Sequence, residues 1–284
     1  MHVHTTPERF LSRLDGSFYA TPAELRGIYD QIGVEKALLL PSAQELSMRE
    51  ARNTVRDNPD TLGWWFCNFS TRIFNNDPEL DLSHIIKSYM EKGAKGIGEV
   101  TENIYFDDPF MLNLFKHAEL CGMPLTFHIG NMGRDYGIVD DLGLPRLERV
   151  LAMFPKLIFL GHSQKFWAEI GNDCTEENRV GYPEGPVKPG RIVELMRKYK
   201  NLCGDLSAGS GCNALTRDPE FAYGFLEEFQ DRLFYGTDIC DPRNITNPML
   251  KLSGFLDEAM LNGRISYAAY EKISRGNALN LLER

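Results

Sequence analysis

Short apolar runs alternate with helical patterns along 284 residues, and no linker, internal repeat or low-complexity tract interrupts them. Counting a short strand at the very start, eight strands are separated by helices. These observations predict an α/β fold: a (β/α)8 TIM barrel in one domain over 1–284, with extra C-terminal helices. Alternation implies parallel strands, and eight units over this length favour a closed barrel over an open sheet. The rival nucleotide-binding sheet lacks its fingerprint, because Gly96-Ile97-Gly98 runs on into Glu99-Val100-Thr101 and the third glycine is absent. A hydrolase nucleophile elbow is absent as well, since Gly161-His162-Ser163 continues into Gln164-Lys165.

The elements follow in order. After the short first strand, Thr21-Pro22-Ala23-Glu24 is a capping box with proline at the first helical position. Leu25, Ile28, Tyr29 and Ile32 mark one face of that helix, and 34–40 reads as the second strand, 62–69 as the third. Leu82, Ile85, Ile86, Tyr89 and Met90 recur at helical spacing before a small-residue strand over 94–100. Asp108-Pro109 opens a helix ended by Gly122, and 124–129 is the fifth strand. Pro145 opens the helix before strand 157–160. Ile192, Leu195, Met196 and Tyr199 precede strand 202–206, and Asp218-Pro219 opens a helix carrying Phe221, Phe225 and Phe229. Strand 233–236 is the last, followed by helices around 248–262 and 266–282.

Composition narrows the function. With 43% hydrophobic and 25% charged residues the chain is neither disordered nor fibrous. No apolar run approaches the roughly 18 residues of a membrane helix, and no signal-peptide pattern argues for export. A net charge of −9 offers no basic face to nucleic acid. Six scattered cysteines form no CxxC pair, which fits a reducing cytoplasm. Cys212 and Cys240 are expected as free thiols.

The six histidines are more telling. His2 and His4 alternate on the first strand, so both imidazoles share a face, the interior of a barrel. His128 lies near the end of the fifth strand, and His162 follows the sixth. Glu99 ends the fourth, and Asp238 follows the last. Parallel barrel strands end on one rim, where barrel enzymes keep their active sites. Imidazoles and carboxylates gathered at one concave point suit Zn²⁺ or a similar borderline divalent ion. His84 and His117 fall on helices and read as ordinary surface or packing residues.

His2-Val3-His4, Gly98-Glu99-Val100, Phe127-His128, Gly161-His162-Ser163 and Gly236-Thr237-Asp238, with Gly276-Asn277-Ala278 near the end, resemble the motifs of the amidohydrolase superfamily. The resemblance is to its amidohydrolase-2 group of metal-dependent barrel hydrolases, and it covers essentially the whole chain. Members carry several residues of strand before His-x-His; only Met1 precedes it here, so either the start is truncated or the first strand is unusually short. The resemblance implies metal ligands at His2, His4, His128 and Asp238. His162 would ligate a second metal or orient the attacking water, and Glu99 stands where some relatives bridge two ions. The implied cofactor is a divalent metal, zinc by preference, one ion or two.

The implied activity is hydrolysis of an amide, ester or lactone of a small molecule through a metal-activated water, with Asp238 as the proton carrier. Non-oxidative decarboxylation on the same scaffold is the alternative. Arg72 and Arg134 are candidates to grip a substrate carboxylate. The stretch 163–190, with Phe166, Trp167 and Tyr182, is expected to be a lid, and Trp167 a substrate contact. A homo-oligomer is left open; no nucleic acid or membrane partner is expected.

Overall fold

The computed structural model describes residues 1–9, 16–41, 48–72, 77–133, 136–246 and 250–283. Its backbone frame is eight parallel strands: β1 His2–Val3, β2 Ala37–Leu39, β3 Leu62–Trp65, β4 Ile97–Val100, β5 Leu125–Gly130, β6 Phe159–His162, β7 Leu202–Asp205 and β8 Leu233–Phe234. They fall into a group β1-β2-β3 and a group β4-β5-β6-β7-β8. Two parallel bridges join the groups, Cys67 with Ile97 and Val3 with Ile239. At the first seam the Cys67 N–H donates to the Gly96 carbonyl at 2.9 Å; at the second the His4 N–H donates to Ile239 at 3.0 Å and the Asp238 N–H to His2 at 2.8 Å. The ring therefore closes, and the chain is the (β/α)8 barrel that the alternation predicts.

The two-residue side-chain period sorts each strand into an inner and an outer set. Leu38, Leu40, Phe66, Leu160, Cys203 and Phe234 form a separate buried cluster, the plug of the barrel. Their neighbours Leu39, Phe127, Phe159, Leu202 and Leu233 belong to the larger cluster packed against the helices. One inward step beyond Leu160 is His162, one beyond Cys203 is Asp205, and one beyond Thr126 is His128. Pattern thus becomes site: each polar group tops a column of plug residues.

The helices begin where the chemistry allows. The Thr21 capping box forms as read, with Glu24 returning to the Thr21 N–H at 2.9 Å. Asp108 caps Pro109–Cys121, which ends at Gly122 in the left-handed region. Asp218 caps Pro219–Glu228. Met48–Asp57, Gln164–Ala168 and Ala208–Thr216 are helices without a sequence expectation, and a short strand Ile138–Val139 pairs with the end of β5. The chain closes on Lys251–Leu261 and a helical run beginning at Tyr267, near the expected 248–262 and 266–282.

The stretch 163–190 is not structureless. Its opening helix buries Phe166 and Trp167, and Gly171 bridges back to Pro189. Trp167 is 1% exposed and donates its indole N–H to the Asp205 carbonyl at 2.8 Å. The expectation of Trp167 as a substrate contact is therefore corrected to core packing, because an apolar side chain this large gains most by full burial. Arg179, from the middle of the stretch, is wholly buried and faces the buried Glu169 carboxylate at 2.8 Å.

Candidate metal centre

The end of β4 is shaped by one glycine. Gly98 has φ +140°, and a Cβ there would stand 2.7 Å from the Thr126 carbonyl oxygen, so only glycine lets β4 approach β5 this closely. Glu99 follows and turns its carboxylate to the centre. Its Oε1 accepts from His128 Nδ1 at 2.8 Å. Its Oε2 lies 3.5 Å from His4 Nε2 and 3.8 Å from His2 Nε2. His128 and His162 are cross-strand partners on β5 and β6, which sets their rings side by side.

His2 and His4 meet at the seam. His2 Nδ1 donates to the Asp205 carboxylate at 2.7 Å, and His4 Nδ1 donates to the Leu40 carbonyl at 2.6 Å. With both Nδ1 protons committed, either ring in its neutral form has only a lone pair at Nε2. Those nitrogens face one another at 3.0 Å. Asp238 Oδ1 completes the group, 3.5 Å from His2 Nε2 and 3.3 Å from His4 Nε2. Asp238 itself has φ 54°, a left-handed conformation that aspartate tolerates better than most residues. When both rings are neutral, two lone pairs and a carboxylate aimed at one point repel unless a cation, whether a proton on His4 or a metal ion, stands among them. His2, His4 and Asp238 fit a divalent metal on that ground. A second set, Glu99, His128 and His162, also brings three donor atoms together.

Asp205 was not singled out from the sequence, and neither was Ser207, whose hydroxyl lies 3.2 Å from His2 Nδ1 and 3.1 Å from His162 Nδ1. The clue was available: Asp205 and Ser207 continue the inward register of Cys203 on β7. Arg72 is exposed, its guanidinium 5.8 Å from the Phe110 ring centroid. Arg134 lies outside the described residues. His84 is exposed, and His117 bonds the Asn113 carbonyl one helical turn back, as ordinary residues would. Cys212 and Cys240 form no disulfide among the described residues.

Charge balance follows from the burial. Desolvation opposes the ionised form of Glu99, yet His128, His4 and His2 hold its carboxyl well below the usual range. Burial likewise opposes ionisation of Asp238, and His2, His162 and His4 more than offset it, lowering its pKa. Desolvation also opposes a proton on His4, which Asp238 and Glu99 outweigh to raise it well above its ordinary value. For His162, burial is outweighed by Asp238, Asp205 and Glu99, and its pKa rises to about 9. Raised folded values mean that these protons stabilise the metal-free protein fully below the unfolded histidine value, and the contribution of His162 is lost as pH rises through about 9. Metal-free protein is expected to unfold at lower urea concentration at alkaline pH than at mildly acid pH; equal midpoints at the two would contradict this charge balance.

Neither a protein-family model nor a curated relative matches this sequence. Solved structures do match it. The 5-carboxyvanillate decarboxylase from Sphingomonas paucimobilis superposes with a TM-score of 0.60 at 18% identity, over 94% of this chain and 84% of that one. An amidohydrolase from Burkholderia multivorans with bound zinc gives 0.60 at 11% identity, over 99% and 98%. The 5-carboxyvanillate decarboxylase from Novosphingobium aromaticivorans, complexed with manganese and 4-hydroxy-3-methoxy-5-nitrobenzoic acid, gives 0.57 at 17% identity, over 91% and 79%. This chain has the same α/β barrel fold as these amidohydrolase and decarboxylase structures.

Proposed function

We propose that this chain belongs to the amidohydrolase-2 group and is a metal-dependent hydrolase of a small-molecule amide, ester or lactone. The observation that carries the reading is the pair of His2 and His4 Nε2 atoms facing at 3.0 Å with both Nδ1 positions already committed. One divalent ion per chain, zinc by preference, would be held by His2, His4 and Asp238, with Glu99 and His128 completing the set. When bound, such an ion supplies a Lewis acid that acidifies water and polarises a carbonyl.

The rest of the chemistry belongs to the chain. Asp238, with a side chain 21% exposed, is open to solvent where the other carboxylates are buried, and takes up the proton of the attacking water. His162 Nε2, 3.6 Å from Asp238 Oδ2, is the partner with which that proton is exchanged. Glu99 keeps the centre anionic and fixes His128. Arg134 grips a substrate carboxylate, and the stretch 163–190 covers the site. We place the enzyme in the cytoplasm as one domain acting on a small molecule, with self-assembly left open.

Non-oxidative decarboxylation is the second reading, favoured by the fold shared with two 5-carboxyvanillate decarboxylases. Screening lactones, esters, amides and aromatic acids in ¹⁸O-labelled water separates the two. Hydrolysis puts label into the product. Carbon dioxide release without label incorporation transfers the assignment to decarboxylation.

A further inference from the structure

Strand β7 and the turn that follows it deliver two inward groups to the centre, Asp205 and Ser207, and both touch imidazole edges that point away from the proposed ion. Asp205 accepts two N–H donors, His2 Nδ1 at Oδ2 (2.7 Å) and the Ser207 backbone at Oδ1 (3.1 Å). Both are buried, at 3% and 0% exposure. Ser207 also occupies the N-cap position of helix Ala208–Thr216, where a serine hydroxyl ordinarily accepts from the helix backbone, yet it makes no such bond. Its oxygen is turned to His2 and His162 instead. A helix cap has been forgone for a contact between histidines.

We propose that Asp205 and Ser207 are positioning residues, a two-pronged clamp that fixes which nitrogen of His2 and which of His162 carries the proton. Deepening the reading above, on which it rests, the clamp assigns the two histidines different tasks. Asp205, as a carboxylate, is an acceptor only, so His2 carries its proton on Nδ1 and offers Nε2 as a bare ligand. A serine has one proton to give. His2 Nδ1 already holds one, so the Ser207 hydroxyl proton is directed to His162 Nδ1, 3.1 Å away. The neutral His162 ring then carries its proton on Nε2, facing Asp238 Oδ2 at 3.6 Å and Glu99 Oε1 at 3.9 Å. His162 is thereby a proton carrier rather than a ligand, and the centre takes one ion.

The test uses the full chain labelled with ¹⁵N at histidine, metal-free at a pH where the rings are neutral, and loaded with zinc. In the parent, His2 is expected as the Nδ1–H form and His162 as the Nε2–H form. Ser207→Ala removes the donor to His162, and the Nε2–H signal of that ring is expected to give way to the other tautomer while zinc affinity changes less than about threefold. Asp205→Asn must turn an amide NH₂ toward one of its two donors, so zinc affinity, measured by calorimetry, is expected to fall by about 10–100-fold. An unchanged His162 tautomer in Ser207→Ala overturns the clamp, and so does parent-like zinc affinity in Asp205→Asn. Should Asp205→Asn not fold, Ser207→Ala decides alone. A parent that binds no zinc defeats the metal reading, and the metal-free tautomers still decide the clamp.

Discussion

Asp238→Asn is expected to lower kcat by about 10²–10⁴-fold on any substrate the screen identifies, while the protein keeps part of its metal. The amide preserves the shape and one oxygen donor facing His2 and His4, so binding is weakened but not abolished. It cannot take up a proton, and the part-exposed carboxylate between the proposed metal ligands and His162 is the only such group open to solvent among the three that surround them. Steady-state kinetics and elemental analysis on the same preparation check this. Parent-like kcat in a variant that still holds metal would move the proton-transfer role elsewhere.

Arg179→Ala is expected to destabilise the fold by about 3–5 kcal/mol, because it leaves a carboxylate buried without its partner. Arg179 and Glu169 have side-chain exposures of 1% and 2%, and the guanidinium also donates to the Asp140 carbonyl at 3.4 Å. Urea denaturation measures the loss. Replacing both members together, as Arg179→Met with Glu169→Leu, is expected to recover most of it, since no charge is then stranded. If the double variant is as unstable as the single one, the pair is not what anchors the stretch 163–190.

Legibility in the sequence followed the strength of the local signal. Helices with a capping aspartate or threonine and a proline behind it were readable to within a residue or so, because cap, proline and glycine act on the backbone locally. Met48–Asp57 was not, since its apolar stripe is only Met48, Ala51 and Val55 among seven polar residues, too thin a pattern to recognise. Ala208–Thr216 hid for another reason: Gly209, Ser210 and Gly211 at its start read as loop. The histidines were legible because a rare residue fell at strand ends, and Asp238 because it follows the last strand in Gly236-Thr237-Asp238. Asp205 was missed among many aspartates, being marked only by its register with Cys203. Trp167 was assigned to the site as an aromatic of the stretch expected to be a lid, a reading that cannot tell the inner face of a barrel wall from the outer.

The seam between β1 and the segment after β8 has a consequence for how the protein is made. Two of the proposed ligands lie at positions 2 and 4 and another at 238, so the proposed ion would sit across the last joint to close. Contacts of such sequence separation form late, because the intervening chain must be ordered before its ends can meet. A growing polypeptide on the ribosome holds half a binding site through most of its synthesis and no whole one until the final strand has emerged. If the proposed site holds, metal uptake would report completion of the ring, and a chain truncated before residue 238 would be neither closed nor metallated.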